Sequence, residues 1–277
     1  LCIAVGGILG LCGAVMQGLF RNPLADPGII GVSGGAALGA ALAIVLLAPL
    51  GQQLQSLLGL GLLPLLAFLG GALTTTLVYL LGTREGGTSV TVMLLAGVAI
   101  TTLSGAVIGL LTYLADDQML RNLSLWQMGS LAAGKPVDVG LALLTLVALL
   151  WLFMRDANPL NALLLGEGEA RHLGVNVQCL KRRLILLTAA GVGVAVAVAG
   201  MIGFVGLVVP HLVRLLAGPN HVRLLPLSAL LGAALLLGAD MLARTLLAPA
   251  EMPVGIITAL LGAPFFIWLL IKSRRTL

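Results

Sequence analysis

Few side chains in this sequence are of the types that do chemistry, and their spacing excludes most of what they could do. The histidines are His172, His211 and His221. None shares metal-ligand spacing with another histidine, a cysteine or a carboxylate, so no metal site is expected. Cys2, Cys12 and Cys179 form neither a disulfide framework nor a metal cluster. No Ser/His/Asp or Cys/His arrangement suggests nucleophilic catalysis, and an intramembrane enzyme would need one within the bilayer. GSLAAGKP, residues 129–136, approaches a phosphate-binding loop. However, Pro136 stands where Ser or Thr is required after the lysine, and no strand precedes the stretch. No ATP site and no cofactor are therefore expected, and the chain does not read as an enzyme. Asp240 and Arg244 lie one turn apart on one apolar stretch. By themselves they fit either a self-satisfied pair near a membrane surface or an outward-facing arginine for an external partner.

These residues sit in a chain that is 60% hydrophobic and only 9% charged. Soluble domains carry about 25% charged residues. The composition is that of a polytopic membrane protein, and the continuous apolar runs argue for helices over a β-barrel. Glycine reaches 37 of 277 residues, as suits helices that pack through small residues. The pairs Gly6/Gly10, Gly31/Gly35, Gly35/Gly39 and Gly105/Gly109 lie four apart, which fits packing within the chain better than a dimer seam. The net charge of +5 does not point to nucleic acid, because the basic residues collect at span ends.

About nine spans are expected, near residues 1–19, 28–47, 61–81, 90–114, 137–154, 184–201, 203–216, 227–247 and 254–271. One set of connections holds Arg21, Arg84, Arg155, Arg171, Lys181, Arg182, Arg183, Arg214, Arg223, Lys272, Arg274 and Arg275; the other holds Arg121, Lys135 and Arg244. Twelve against three makes the first set cytoplasmic, with the C-terminus inside. Leu1 then falls outside, and a further helix upstream, giving ten, is expected. The 203–216 span is short and holds Pro210, and its neighbour ends in Gly200 and Gly203. Such interrupted segments either line a path or are kinks absorbed by packing. Within 116–136, LRNLSLWQMGSL suits a short amphipathic helix on the outer side.

The segment 156–183, DANPLNALLLGEGEARHLGVNVQCLKRR, carries seven of the 25 charged residues and must lie outside the bilayer. Small residues and charges on a short helix suit docking to a soluble partner. A membrane subunit driven by another protein follows. An ion-driven secondary transporter would instead want buried acidic residues, and only Asp240 comes near.

Several stretches together resemble the permease subunits of type II ABC importers, the BtuC/FecCD family: RNPLADPG followed by GVSGGAALG, then GEGEARHLGV, GFVGLVVPHLVRL and PVGIITALLGAPFFIWLL. The resemblance covers essentially the whole chain. It implies an all-α, BtuC-like transmembrane bundle, a single permease domain over 1–277 with the coupling segment 156–183 inside it. It also implies a bacterial inner-membrane location, a second copy of the chain, two ABC ATPase subunits and a periplasmic substrate-binding protein. Gly166, Glu167, Ala170, Arg171, Leu173 and Gly174 are the implied ATPase-coupling residues. Val90 and Thr91 are the implied cytoplasmic gate. Arg244 matches a docking arginine for the binding protein, with Arg121 and Lys135 as further candidates. LTYLADDQMLRNLSLWQMGSL is most similar to the haem-permease branch. Haem is the implied cargo, with an iron–siderophore or cobalamin as the alternative.

Overall fold

The computed structural model describes residues 1–47, 61–84, 87–132, 134–246 and 250–273. Leu247, Arg274 and Arg275 lie outside the described residues, as do the side chains of Arg84 and Lys272. Among the described residues the chain forms twelve α-helices, a 3-10 turn and one two-stranded hairpin. The helices are α1 Cys2–Phe20, α2 Val32–Val45, α3 Leu62–Gly82, α4 Val90–Leu114, α5 Asp117–Gln127, α6 Pro136–Arg155, α7 Ala157–Leu164, α8 Glu167–His172, α9 Val177–Ala199, α10 Val205–Ala217, α11 His221–Leu246 and α12 Val254–Ser273. Strands β1 Thr83–Arg84 and β2 Gly87–Thr88 pair antiparallel between α3 and α4.

Six helices, α1, α3, α4, α6, α9 and α11, are long and apolar enough to cross a membrane. The shorter apolar helices α2, α10 and α12 complete the nine expected positions. Helix α1 is the core: it is buried along nearly its whole length and packs against α11, α10, α9 and α6. A second group forms where α2 packs on α3 and α4, and α9 joins the groups through α3 and α1. Small residues set these crossings. A Cβ on Gly6 or Gly10 would run into the backbone carbonyls of Gly232 or Ser228 on α11, and one on Gly35 or Gly39 into α3. Lipid supplies no hydrophobic drive between helices, so close backbone approach carries the packing. Gly105 and Gly109 face open space on the exposed side of α4.

Two expected boundaries shift for physical reasons. The 28–47 span is interrupted. The Asp26 side chain accepts from the Gly28 amide at 2.7 Å, Pro27–Ile30 winds as a 3-10 turn, and Gly31 is left-handed at φ 88°. The Thr74 hydroxyl donates to the Gly31 carbonyl at 2.8 Å and fixes the turn. What remains, the 14 residues of α2, is about 21 Å long, short of the roughly 30 Å hydrocarbon core. Second, α9 begins at Val177, not near 184, because the Asn176 side chain caps it through the Cys179 amide. Lys181, Arg182 and Arg183 are therefore helical. Between α9 and α10 the chain is non-helical from Gly200 to Phe204, and Phe204 holds an unusual left-handed φ of 67°.

Candidate functional site

The expected coupling residues converge on one turn at the end of the bundle richest in Lys and Arg. Asp156 ends α6, starts α7 and pairs with Arg183 on α9. Burial pushes the Asp156 carboxyl above the ordinary carboxylate range, and Arg183 pulls it back. Gly166, at φ 123°, makes the break between α7 and α8 that a side chain would resist. The six residues of α8 carry Glu167 and Glu169 in the first turn and Arg171 and His172 in the last. That order suits the helix dipole. Ala170 is fully buried and anchors α8 to the body of the protein. Arg171, Leu173 and Gly174 face outward beside Glu169 and His172, and Leu173 is 63% exposed. Of the six expected residues, then, Ala170 lies beneath the exposed surface, and Glu167 turns partly inward.

A polar network holds this turn to the membrane helices. Asn161 on α7 accepts from the backbone amide of His221 at 2.8 Å, and its Oδ1 lies 2.9 Å from His221 Nδ1. Its amide donates to Asn220 at 2.9 Å. Nearby, Arg214 donates to the Gln17 side-chain oxygen at 3.0 Å, and Gln17 donates to the Leu207 carbonyl at 3.0 Å. Polar groups in such surroundings must be paired to be tolerated.

The expected gate residues open α4. Ser89 caps the helix towards Val92. Val90 is half-buried and Thr91 exposed. The hairpin immediately before them is gripped from α9. Gln178 accepts from the Thr88 amide at 3.1 Å. The Lys181 ammonium donates to the Thr88 carbonyl at 3.2 Å and to Glu167 of α8 at 2.6 Å. Further along α4, a cavity of about 500 Å³ opens between α4, the 3-10 turn and the α9–α10 break. Gly97, Thr101 and Thr102 line one side, Gly203 and Phe204 another, and the Asp26 carboxyl a third. The broken backbone at 203–204 thus faces a cavity, a surrounding in which irregular backbone of a membrane protein is tolerated.

At the opposite end, α5 forms the expected amphipathic helix, capped by Asp116 through the Met119 amide at 2.8 Å. Arg121, on α5, and Lys135, just before α6, are exposed. Arg244 pairs with Asp240 at 2.8 Å, and its side chain is 46% exposed. Leu125 and Ser130 line both the cavity beside Lys135 and the cavity beside Arg244, so these two cations border adjoining hollows of one face. Expected partner-facing cations and expected coupling residues therefore occupy opposite ends.

Sequence reasoning missed Asp26, Asn161, Gln178 and Lys181. A signal existed for Lys181. It shares helical spacing with the buried Val177, Leu184, Ile185 and Thr188, whereas its neighbours Arg182 and Arg183 point outward. The others carry no signal short of the fold.

Residues 1–272 match the model of the FecCD transport family. The chain is 50% identical over 99% of its length to 81% of a hemin transport system permease protein, HmuU, from Yersinia pestis. It is 46% identical over 96% of its length to 69% of a cobalamin import permease, BtuC, from Halobacterium salinarum. With a vitamin B12 import permease of Vibrio cholerae it shares 43% identity, over 98% of this chain and 79% of the relative. Among solved structures, it superposes with a TM-score of 0.86 and 36% identity on an inward-facing ABC transporter of the metal-chelate type. That match covers 98% of this chain and 83% of the other.

Proposed function

The chain belongs to the FecCD transport family, and from that premise we propose that it is the membrane-spanning permease subunit of an ATP-driven importer of haem. One observation carries the cargo: 50% identity to a hemin permease along 99% of the chain. The chain works by alternating access in a bacterial inner membrane, with its C-terminus cytoplasmic. Two copies enclose the path, two ABC ATPase subunits dock beneath, and a periplasmic binding protein delivers cargo from above.

The geometry supports a division of labour. Residues 156–183 form the coupling segment of a single permease domain spanning 1–277. There, Gly166, Arg171, Leu173 and Gly174 form the surface offered to the ATPase, Ala170 fixes it to the bundle, and Glu167 connects it inward. Val90 and Thr91 gate the path at the start of α4. The cavity above them is walled by threonine, serine, glycine and apolar side chains with the single acidic residue Asp26 at one side, which leaves a bulky planar cargo few groups to hold it and lets it leave. Arg244, Arg121 and Lys135 receive the binding protein. No cofactor and no nucleic acid enter this scheme.

The test is ATP-dependent uptake of haem into proteoliposomes holding this chain, its ATPase and its binding protein, with ferric siderophore and cobalamin as competitors. Haem uptake unaffected by either competitor is the expected result. The cobalamin permeases among the relatives support a second reading, in which the same machine carries a corrinoid. Uptake of cobalamin in preference to haem would select it. Transport that survives ATP depletion and collapses with a protonophore would remove the importer reading altogether.

A further inference from the structure

Lys181 is the most deeply buried cation described in the chain, with 2% of its surface exposed. Its ammonium group bonds two elements that are distant in sequence: the Glu167 carboxylate of α8 at 2.6 Å and the Thr88 backbone carbonyl of β2 at 3.2 Å. A buried ammonium cannot release either partner cheaply, because water does not replace what it loses. The same Thr88 is held through its amide by Gln178, three residues earlier on α9. Both backbone polar groups of one hairpin residue are thus committed to α9, and that residue lies two positions before Val90. On the other side, Glu167 belongs to a six-residue helix whose far face is exposed.

We propose that Lys181 is a positioning residue that makes the coupling helix α8 and the first turn of α4 move as one unit. A displacement of α8 by a docked partner pulls on the ammonium through Glu167, and the ammonium pulls on Thr88 and thereby on Ser89, Val90 and Thr91. Glu167 also faces Arg171 at 3.9 Å. Among the described residues that exposed cation shares the carboxylate and makes no hydrogen bond or ion pair to the hairpin, so the described polar route from Glu167 to α4 runs through Lys181. The inference rests on the permease reading and deepens it.

The test uses the complete transporter in proteoliposomes, comparing the unaltered chain with Lys181→Met and Gln178→Leu. Lys181→Met keeps the length of the side chain and removes its charge. Gln178→Leu frees the Thr88 amide and leaves no buried unpaired charge. Both are expected to co-purify with the ATPase and to hydrolyse ATP at the basal rate. Cargo delivered per ATP should fall about ten-fold in Lys181→Met, the size of a typical coupling term, and in the same direction in Gln178→Leu. Stimulation of hydrolysis by cargo-loaded binding protein should fall with it. An unchanged ratio of cargo to ATP in both variants overturns the proposal. So does loss of ATPase co-purification in both variants, which would mean that these residues only shape the docking surface. An unaltered chain that drives no ATP-dependent uptake overturns the permease reading, and the relay with it.

Discussion

At the scale of single residues, this protein is built from contacts that admit no extra atom. Gly6 on α1 meets the carbonyl of Gly232 on α11, and Gly232 meets Gly6 in return. The obstacle is backbone on both sides, so neither can rotate away. Gly6→Ala is therefore expected to destabilise the chain by about 1–3 kcal/mol, as overpacking does. Gly105→Ala meets nothing within 4 Å and should leave stability unchanged or slightly raised, since alanine favours helix. Thermal unfolding of both variants in detergent checks the pair. Equal losses would mean that α1 and α11 do not cross as described. Sequence spacing alone made the two glycine pairs equivalent. Only the crossing partner separates them, and a partner more than 200 positions away leaves no trace in local spacing.

At the scale of elements, the polar segment resolves into a rigid turn with one face in and one face out. Ala170 is buried while Arg171 is 60% exposed at its side chain. Arg171→Gln should therefore weaken association with the ATPase without unfolding the bundle. Among the described residues only its ion pair with Glu167, an i,i+4 contact at 3.9 Å, is lost inside the chain, at about 0.3–0.5 kcal/mol. Co-purification of the ATPase should fall several-fold while the unfolding temperature stays put. If both were unchanged, α8 would not be the contact. This element was legible in advance, because seven charges between apolar runs can lie only outside the bilayer. The nine apolar helices were legible for the same reason: hydropathy needs no tertiary information. The broken entry to α2 was not. The span was expected from residue 28, but the unwinding through Gly31 depends on Thr74 of α3 reaching across. Likewise the α9 start was masked by KRR, since three consecutive cations look solvent-bound until one of them is seen to be buried.

At the scale of the whole molecule, charge separates the two ends. By sequence, the end holding 156–183 carries twelve basic and five acidic residues, and the opposite end three basic and five acidic. Within residues 1–277 the second face therefore carries a net negative formal charge, although docking cations were sought there. Arg244 itself shares its hollow with Asp240 and Glu251. These residues give an acidic partner little long-range attraction, and Arg244 acts at contact distance through the part of its guanidinium that the Asp240 bond leaves exposed. This shapes the expected kinetics. Arg244→Gln removes the cation without setting like charges one turn apart, as Arg244→Glu would. It should raise the dissociation rate of the binding protein a few-fold, as loss of an exposed pair of about 0.2–1 kcal/mol would, and leave the association rate nearly constant. The effect should be larger at low salt, because screening acts over roughly 10 Å at 0.1 M. Arg121→Gln and Lys135→Gln remove cations outside that hollow and should act mainly on association, as rim charges do. Surface-immobilised binding protein exposed to the detergent-solubilised transporter reads both rates. A slower association with unchanged dissociation in Arg244→Gln would mean that the arginine steers and does not grip. Unchanged rates in all three variants would place the binding protein on other residues of this face.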